Sequence, residues 1–320
     1  MITRWGRLDR GRLTAQEADG MTRPVTAGVD GSEESLAALA WAAREAERRG
    51  LPLRLVRAWH LETRDAFDVG DRETRRQEVR DSLAEAARTV AERHPGLTVT
   101  ADVVEDGAVD ALLAAAAESE MLVLGSRGRG ALVGFLLGSV GQQVITRAVR
   151  PVVLVRAEDD PSSGLPEQGG PPAEAAGREI VVGQHGAPED SAAALRFAFE
   201  TAAARGATVR AVRAWTLPPV FAYSPGSLRL LDEAGGLEPY ERKALAAALQ
   251  PWRERFPDVP VVEHVEMGSA GEVLLTAADR PQLMVVGRRA HRTAVGARIG
   301  SVAYAMLHHA GCPVAVVPQT

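Results

Sequence analysis

Met121-Leu122-Val123-Leu124-Gly125-Ser126-Arg127-Gly128, then nine residues, then Gly138-Ser139: this stretch of the 320-residue chain decides its fold. It recurs about 160 residues later as Leu283-Met284-Val285-Val286-Gly287, then Ala290, again nine residues, then Gly300-Ser301. Each copy begins on a short apolar run. Each leads into a helical pattern and a closing apolar run, Pro151–Val155 and Pro313–Val317. Strand, glycine turn, helix and strand in succession imply parallel pairing with right-handed crossovers. Glycines behind a strand and a Gly-Ser opening a helix also present main-chain N–H groups to an anion, as a phosphate cradle requires. A chain of 320 residues suits two cores of ordinary size.

Working outward, the first unit starts near Thr22 with the small strand Val25–Val29. A helix follows Gly31-Ser32, with Ser32 as N-cap, a stripe of Leu36, Leu39, Ala40 and Ala43, and Gly50 as its stop. Leu51–Trp59 reads as strand two, and Glu73–Arg93 as an amphipathic helix through Val79, Leu83, Ala86, Ala87 and Val90. Pro95-Gly96 ends it; Leu97–Val104 is strand three and Ala108–Ala117 an Ala/Leu helix. Residues 157–177 have linker composition. After them Ile180-Val181-Val182-Gly183 repeats Val25-Thr26-Ala27-Gly28, and Arg213-Ala214-Trp215 repeats Arg57-Ala58-Trp59. The repeat is domain-sized, so it is no solenoid. The expected organisation is a polar tail 1–21, domain one 22–156, linker 157–177 and domain two 178–320. Met21 is a candidate natural start. Each domain is expected to be α/β and doubly wound, a five-stranded parallel sheet in strand order 3-2-1-4-5.

In such a sheet the ligand lies beyond the carboxyl ends of the strands where strand order reverses, between strands one and four. The glycine pattern falls there. Gly125, Gly128, Gly138, Ser139, Val140 and Gly141 are candidate main-chain donors, and Arg127 and Arg129 offer charge at the rim. Gly28, Val29 and Asp30 end strand one; Asp30 suits a sugar hydroxyl or a metal, and equally a turn or helix cap. Ala58 ends strand two, where main-chain groups face a base. The second set is Gly183, Ala214, Gly287, Gly300, Ser301 and Val302. Trp59 and Trp215 read as packing residues, His308-His309 as surface, and Cys312 as a small core residue. Gly128, Gly130 and Gly134 form a G-x-G-x-x-x-G behind the fourth strand, whereas a dinucleotide fingerprint belongs behind the first. No G-x-x-x-x-G-K-[ST] occurs.

Composition narrows the class. The chain is 46% hydrophobic with a net charge of -5, a pI near 5.9 and a mean hydropathy of -0.08. That balance argues against a general nucleic-acid binder, and no apolar run is long enough for a bilayer. One cysteine allows no internal disulfide, and no apolar segment follows Arg4 and Arg7 as a secretory signal would. A cytoplasmic protein is expected.

Gly28-Val29-Asp30-Gly31-Ser32, the G-2x-G-9x-G-S series and the closing Pro-Val strand resemble the universal stress protein family, in its tandem two-domain actinobacterial form. The resemblance covers Thr22 to Thr320 apart from the linker. It implies an adenine-nucleotide alpha-hydrolase-like fold, ATP as ligand, commonly with Mg²⁺ (Asp30 being the candidate metal ligand), and a role in stress adaptation without assured catalysis. By position it puts nucleotide contacts on Asp30, Ala58, Gly125, Gly128, Gly138, Ser139 and Val140. It also implies pseudosymmetric pairing of the two domains through Val152–Val155 and Val314–Val317, with a homodimer as a further option. Two alternatives stand beside an ATP-binding regulatory module. One is a slow ATPase. The other is a scaffold using the apolar loop Ala131–Leu137. The second copy departs from the pattern: His185 stands for Asp30 and Ala290 for Gly128, so a weaker or altered second site is expected.

Overall fold

The computed structural model describes residues 22–59, 69–126, 138–157, 179–217, 236–278, 281–288, 292–293, 296–297 and 299–319. The expected tail, nearly all of the linker, and Arg127, Gly128, Arg129, the loop Ala131–Leu137 and Ala290 lie outside these residues.

The amino-terminal half runs β1 (Val25–Gly28), α1 (Glu33–Arg49), β2 (Leu53–Ala58), α2 (Val69–Arg93), β3 (Val99–Val104), α3 (Ala108–Ala117), β4 (Met121–Ser126), α4 (Ser139–Arg147) and β5 (Val152–Arg156). The carboxyl-terminal half repeats the order. It runs β6 (Glu179–Gly183), a 3₁₀ turn Pro188–Ser191, α5 (Ala192–Arg205), β7 (Thr208–Trp215), α6 (Glu238–Arg255), β8 (Val261–Met267), α7 (Ala270–Thr276) and β9 (Leu283–Arg288). It ends with a two-residue-per-strand hairpin, β10 (Arg292–Thr293) and β11 (Gly296–Ala297), then α8 (Ser301–His309) and β12 (Val314–Pro318).

Local chemistry sets the helix ends. The Ser32 hydroxyl caps α1 by accepting from the Ser35 N–H at 3.2 Å. Gly50 ends α1 at φ 63° and Gly206 ends α5 at φ 59°, left-handed positions that favour glycine. The stripe expected on α1 is rotated. Leu39 and Ala43 are buried as expected, but Leu36 is exposed and Ala40 partly so, and Ala37, Ala38, Trp41, Ala42 and Ala46 complete the buried apolar face. Alanines let the helix lie close to the sheet, and the bulky Trp41 is turned toward the other half, so closeness of packing overrides the simple apolar count.

The strands form one ten-stranded sheet, ordered β3-β2-β1-β4-β5-β12-β9-β6-β7-β8. Each half has the expected 3-2-1-4-5 order, counting β6, β7, β8, β9 and β12 as one to five. All neighbours in it are parallel except β5 and β12, which pair antiparallel with Leu154 opposite Val314, Val153 opposite Ala315 and Val152 opposite Val316. The two sheets thus join by their last strands, the pairing that the resemblance implies. Side chains alternate across this sheet. Met121, Val123, Val153 and Val155 face a core with α1, α2, α5 and α6. Leu122, Leu124, Val152 and Leu154 face the opposite core with α3, α4, α7 and α8. Both cores run across the junction.

One face of the junction is held by charge. Glu45, 1% exposed, accepts from Arg49 Nε at 2.7 Å and from Arg205 Nη2 at 2.8 Å. Arg49 also donates to Thr201 Oγ1 at 2.6 Å. Arg205 lies over the Trp41 ring at 5.2 Å and Arg49 over the Phe197 ring at 5.3 Å. Aligning Gly50 with Gly206 matches Trp41 with Phe197, Arg49 with Arg205 and Glu45 with Thr201. The repeat is symmetric in its cations and rings, but only one half carries the anion.

Candidate functional site

The crease opens where β1 and β4 part, since β1 is bonded to β2 on one side and to β4 on the other. Gly28, Val29 and Asp30 leave β1 there, Ala58 is the last residue of β2, and Gly125 sits one residue before the end of β4. The helix α4 runs back from this edge to β5, so its amino terminus also lies at the carboxyl edge of the sheet. Topology therefore brings these predicted residues to one edge; Arg127 and Gly128 lie outside the described residues.

The start of α4 is chemically open. Gly138 is the N-cap and supplies no side-chain acceptor. The first helical bond is Gln142 N–H to Gly138 O at 3.0 Å, so the N–H groups of Ser139, Val140 and Gly141 have no helical acceptor. A β-carbon at Gly138 would meet nothing within 4 Å among the described residues. The helix end thus presents donors and the positive end of its dipole to a space that no described residue fills.

Asp30 takes the turn role and keeps its charge. It is exposed, and its Oδ1 accepts from the Ser32 N–H at 2.9 Å and the Ser32 hydroxyl at 2.6 Å. Partial burial pushes its carboxyl up, but the hydrogen bonds from Ser32 and Ser35 outweigh that and leave its pKa below the usual aspartate value. An ionised carboxylate beside an open crease suits a magnesium ion, which takes one or two carboxylates and otherwise phosphate oxygens and water. Among the described residues, no group of three or more His, Cys, Asp or Glu is placed to hold a metal by itself.

The structure gives Gly125 a different reason to be glycine. A β-carbon there would lie 2.4 Å from Glu34 C, 2.5 Å from Glu34 O and 2.7 Å from Ser35 N, all backbone atoms of α1. The glycine lets the first turn of α1 rest on β4, and so shapes the crease from behind.

The second crease is built from the same elements and furnished differently. Gly183 ends β6, Ala214 lies in β7, Gly287 in β9, and Gly300 caps α8 ahead of Ser301 and Val302. A β-carbon at Gly300 would also meet nothing within 4 Å among the described residues. Above Gly287, however, the Gln319 side chain stands where α1 stands above Gly125, its Nε2 2.4 Å from the place of a β-carbon. Gln184, at the position of Val29, is buried and accepts from Arg213 Nη1 at 2.5 Å. Arg213 also donates to Gly186 O at 3.0 Å and pairs with Glu241 at 2.6 Å. Sequence reasoning missed Gln184, Arg213 and Gln319. A glutamine at a buried valine position was the signal. His308 corrects another expectation: it is buried against the Tyr304 ring at 4.1 Å rather than on the surface, and burial lowers its pKa. Cys312 is buried, as read.

The Universal stress protein family profile matches residues 21–156 and again 178–318. The chain belongs to the universal stress protein family. A universal stress protein of Mycobacterium tuberculosis is 34% identical over 305 residues, covering 92% of this chain and 97% of that protein. A universal stress protein of Mycolicibacterium smegmatis is 32% identical over 310 residues, covering 92% and 96%. A crystal structure of a universal stress protein from Archaeoglobus fulgidus superposes with a TM-score of 0.65 at 15% identity, covering 93% of this chain and 99% of that one. Tandem universal stress protein domains therefore span this chain, in a form that the mycobacterial relatives share along nearly their full length. Among the described residues no helix is long and apolar enough to cross a membrane.

Proposed function

We propose that this universal stress protein binds ATP at the amino-terminal crease and acts as a regulatory module in stress adaptation rather than as a catalyst. The open amino terminus of α4, set at the strand-order switch point beside an ionised Asp30, carries the reading. The N–H groups of Ser139, Val140 and Gly141 would take phosphate oxygens, the main chain around Val29 and Ala58 would face the adenosine, and Asp30 would hold the magnesium or a ribose hydroxyl. Bound magnesium would neutralise phosphate charge.

Binding without turnover follows from the same residues. Hydrolysis needs a base that accepts a proton from water. Hydrogen bonds to Ser32 make Asp30 a weak base, and Asp106 is occupied at the surface by the Gly107 N–H at 2.7 Å. The carboxyl-terminal crease, with His185 for Asp30 and Gln319 over Gly287, is the weaker site.

A single substitution separates ligand binding from folding. Gly138→Asp puts a favourable capping carboxylate on α4 with no described residue in its way, and stabilises the helix by about 0.3–1 kcal/mol. The same carboxylate repels phosphate. In calorimetry with magnesium and ATP, Gly138→Asp is expected to lose at least about tenfold in affinity while melting no lower than the parent. Unchanged affinity, or a parent protein that takes up no nucleotide at millimolar ATP, sinks the reading.

A further inference from the structure

Two arginines cross the junction on the face opposite Glu45. Arg288, the last residue of β9, donates to Thr146 O at 2.8 Å and to Ala148 O at 2.5 Å, the final carbonyls of α4. Arg156, the last residue of β5, donates to Leu307 O at 3.2 Å and to Ala310 O, the final carbonyls of α8. Each cation therefore closes the carboxyl terminus of the other half's last helix, where the dipole is negative. Repeat position does not explain the match. The counterpart of Arg288 is Ser126, and the counterpart of Arg156 is Pro318.

We propose that Arg288 is a positioning residue for the amino-terminal nucleotide cradle, which is incomplete without the carboxyl-terminal half. The proposal rests on the reading that the amino terminus of α4 holds phosphate. That helix has nine residues, of which only Val144 and Ile145 are buried. A helix so short does not hold its own orientation. Its far end is fixed by Arg288, a residue that is 8% exposed, faces no carboxylate among the described residues and leaves its Nε without a hydrogen-bond partner there. A cation buried against carbonyls alone is costly, and burial lowers its pKa. Its compensation is the pair of orphan carbonyls it satisfies. Fixing them fixes the tilt of α4, and with it the aim of the Ser139, Val140 and Gly141 N–H groups.

The test uses the full chain with Arg288→Met, Arg288→Lys and, as the matched control, Arg156→Met. Amide hydrogen exchange is measured without nucleotide, and ATP affinity by calorimetry. Arg288→Met is expected to speed exchange in residues 139–148 and to weaken ATP binding about fivefold. Arg288→Lys keeps the charge and falls between. Arg156→Met is expected to speed exchange in residues 301–310 and leave ATP affinity unchanged. Equal weakening by both methionine variants, or none by Arg288→Met, overturns the positioning role. Should Arg288→Met not fold, the lysine variant decides by the same two measurements. Absence of ATP binding by the parent defeats the nucleotide reading alone, since the exchange patterns still test the clamp.

Discussion

The two creases share topology, strand order and an uncapped helix start, yet differ in what stands behind the fourth strand. In the amino-terminal half the backbone of α1 presses on Gly125; in the carboxyl-terminal half the Gln319 side chain fills the matching space over Gly287. The Gln319 Nε2 is buried without a hydrogen-bond partner among the described residues. A fold can thus be duplicated faithfully while the furnishing of its site diverges. The scaffold depends on backbone packing, which tolerates little, and the lining depends on side chains, which tolerate more.

The junction gives the largest way to break the comparison. Glu45 is the shared anion for Arg49 and Arg205, and its repeat counterpart is the neutral Thr201. Glu45→Ala leaves two inward cations uncompensated and is expected to cost about 3–5 kcal/mol, whereas Thr201→Ala is expected to cost about 1 kcal/mol. Denaturant midpoints at constant slope check both; equal costs would mean that the charge is not what holds this face.

Next come the two glycines. Gly125→Ala must displace the backbone of Glu34 and Ser35, with an expected loss of about 1–3 kcal/mol. Gly287→Ala meets only the far end of Gln319, which can swing aside, so the expected change is below about 1 kcal/mol. Thermal melting of the pair decides it. Loss of nucleotide affinity in Gly125→Ala would not by itself identify a phosphate contact, because the variant also moves α1. The Gly138→Asp experiment avoids this, and Gly300→Asp sharpens it: both should cap a helix, and only the first should disturb the stronger site.

The smallest effect is on pH. Burial pushes the Glu45 carboxyl up, but attraction to Arg205 and Arg49 outweighs it, so its pKa lies below the usual glutamate value. A depressed carboxyl contributes stability that is present above its unfolded pKa, about 4.3, and is lost as pH falls through the folded value. Stability is therefore expected to be flat near neutrality and to decline below about pH 4.3. In Glu45→Gln that decline should be shallower. An identical acid profile in the two proteins would remove the charge linkage.

Much of the scaffold was legible in residues. The Ser32 cap, the Gly50 stop, the Ala108–Ala117 helix and the strand before Gly125 follow from local torsion preferences and hydrophobic period. The candidate site was legible as far as its chain positions: Asp30, Ala58, Gly138 and Ser139 do come to one edge, because parallel topology collects the carboxyl ends of strands. The reason for Gly125, the rotation of α1 and the burial of His308 were not legible, since each depends on what packs against the residue from elsewhere.

By itself, then, the sequence determined the two repeats, most of their helices and strands, and the departures of the second copy at His185 and Ala290, since these are written in short-range spacing. Only the tertiary structure decided how Glu45 serves both halves and how Arg288 and Arg156 trade helix ends across the β5–β12 seam. Partners some 140 to 160 positions apart leave no periodic trace in the chain. A guanidinium reads the same whether water or a distant carbonyl receives it, and only the joined sheets settle which.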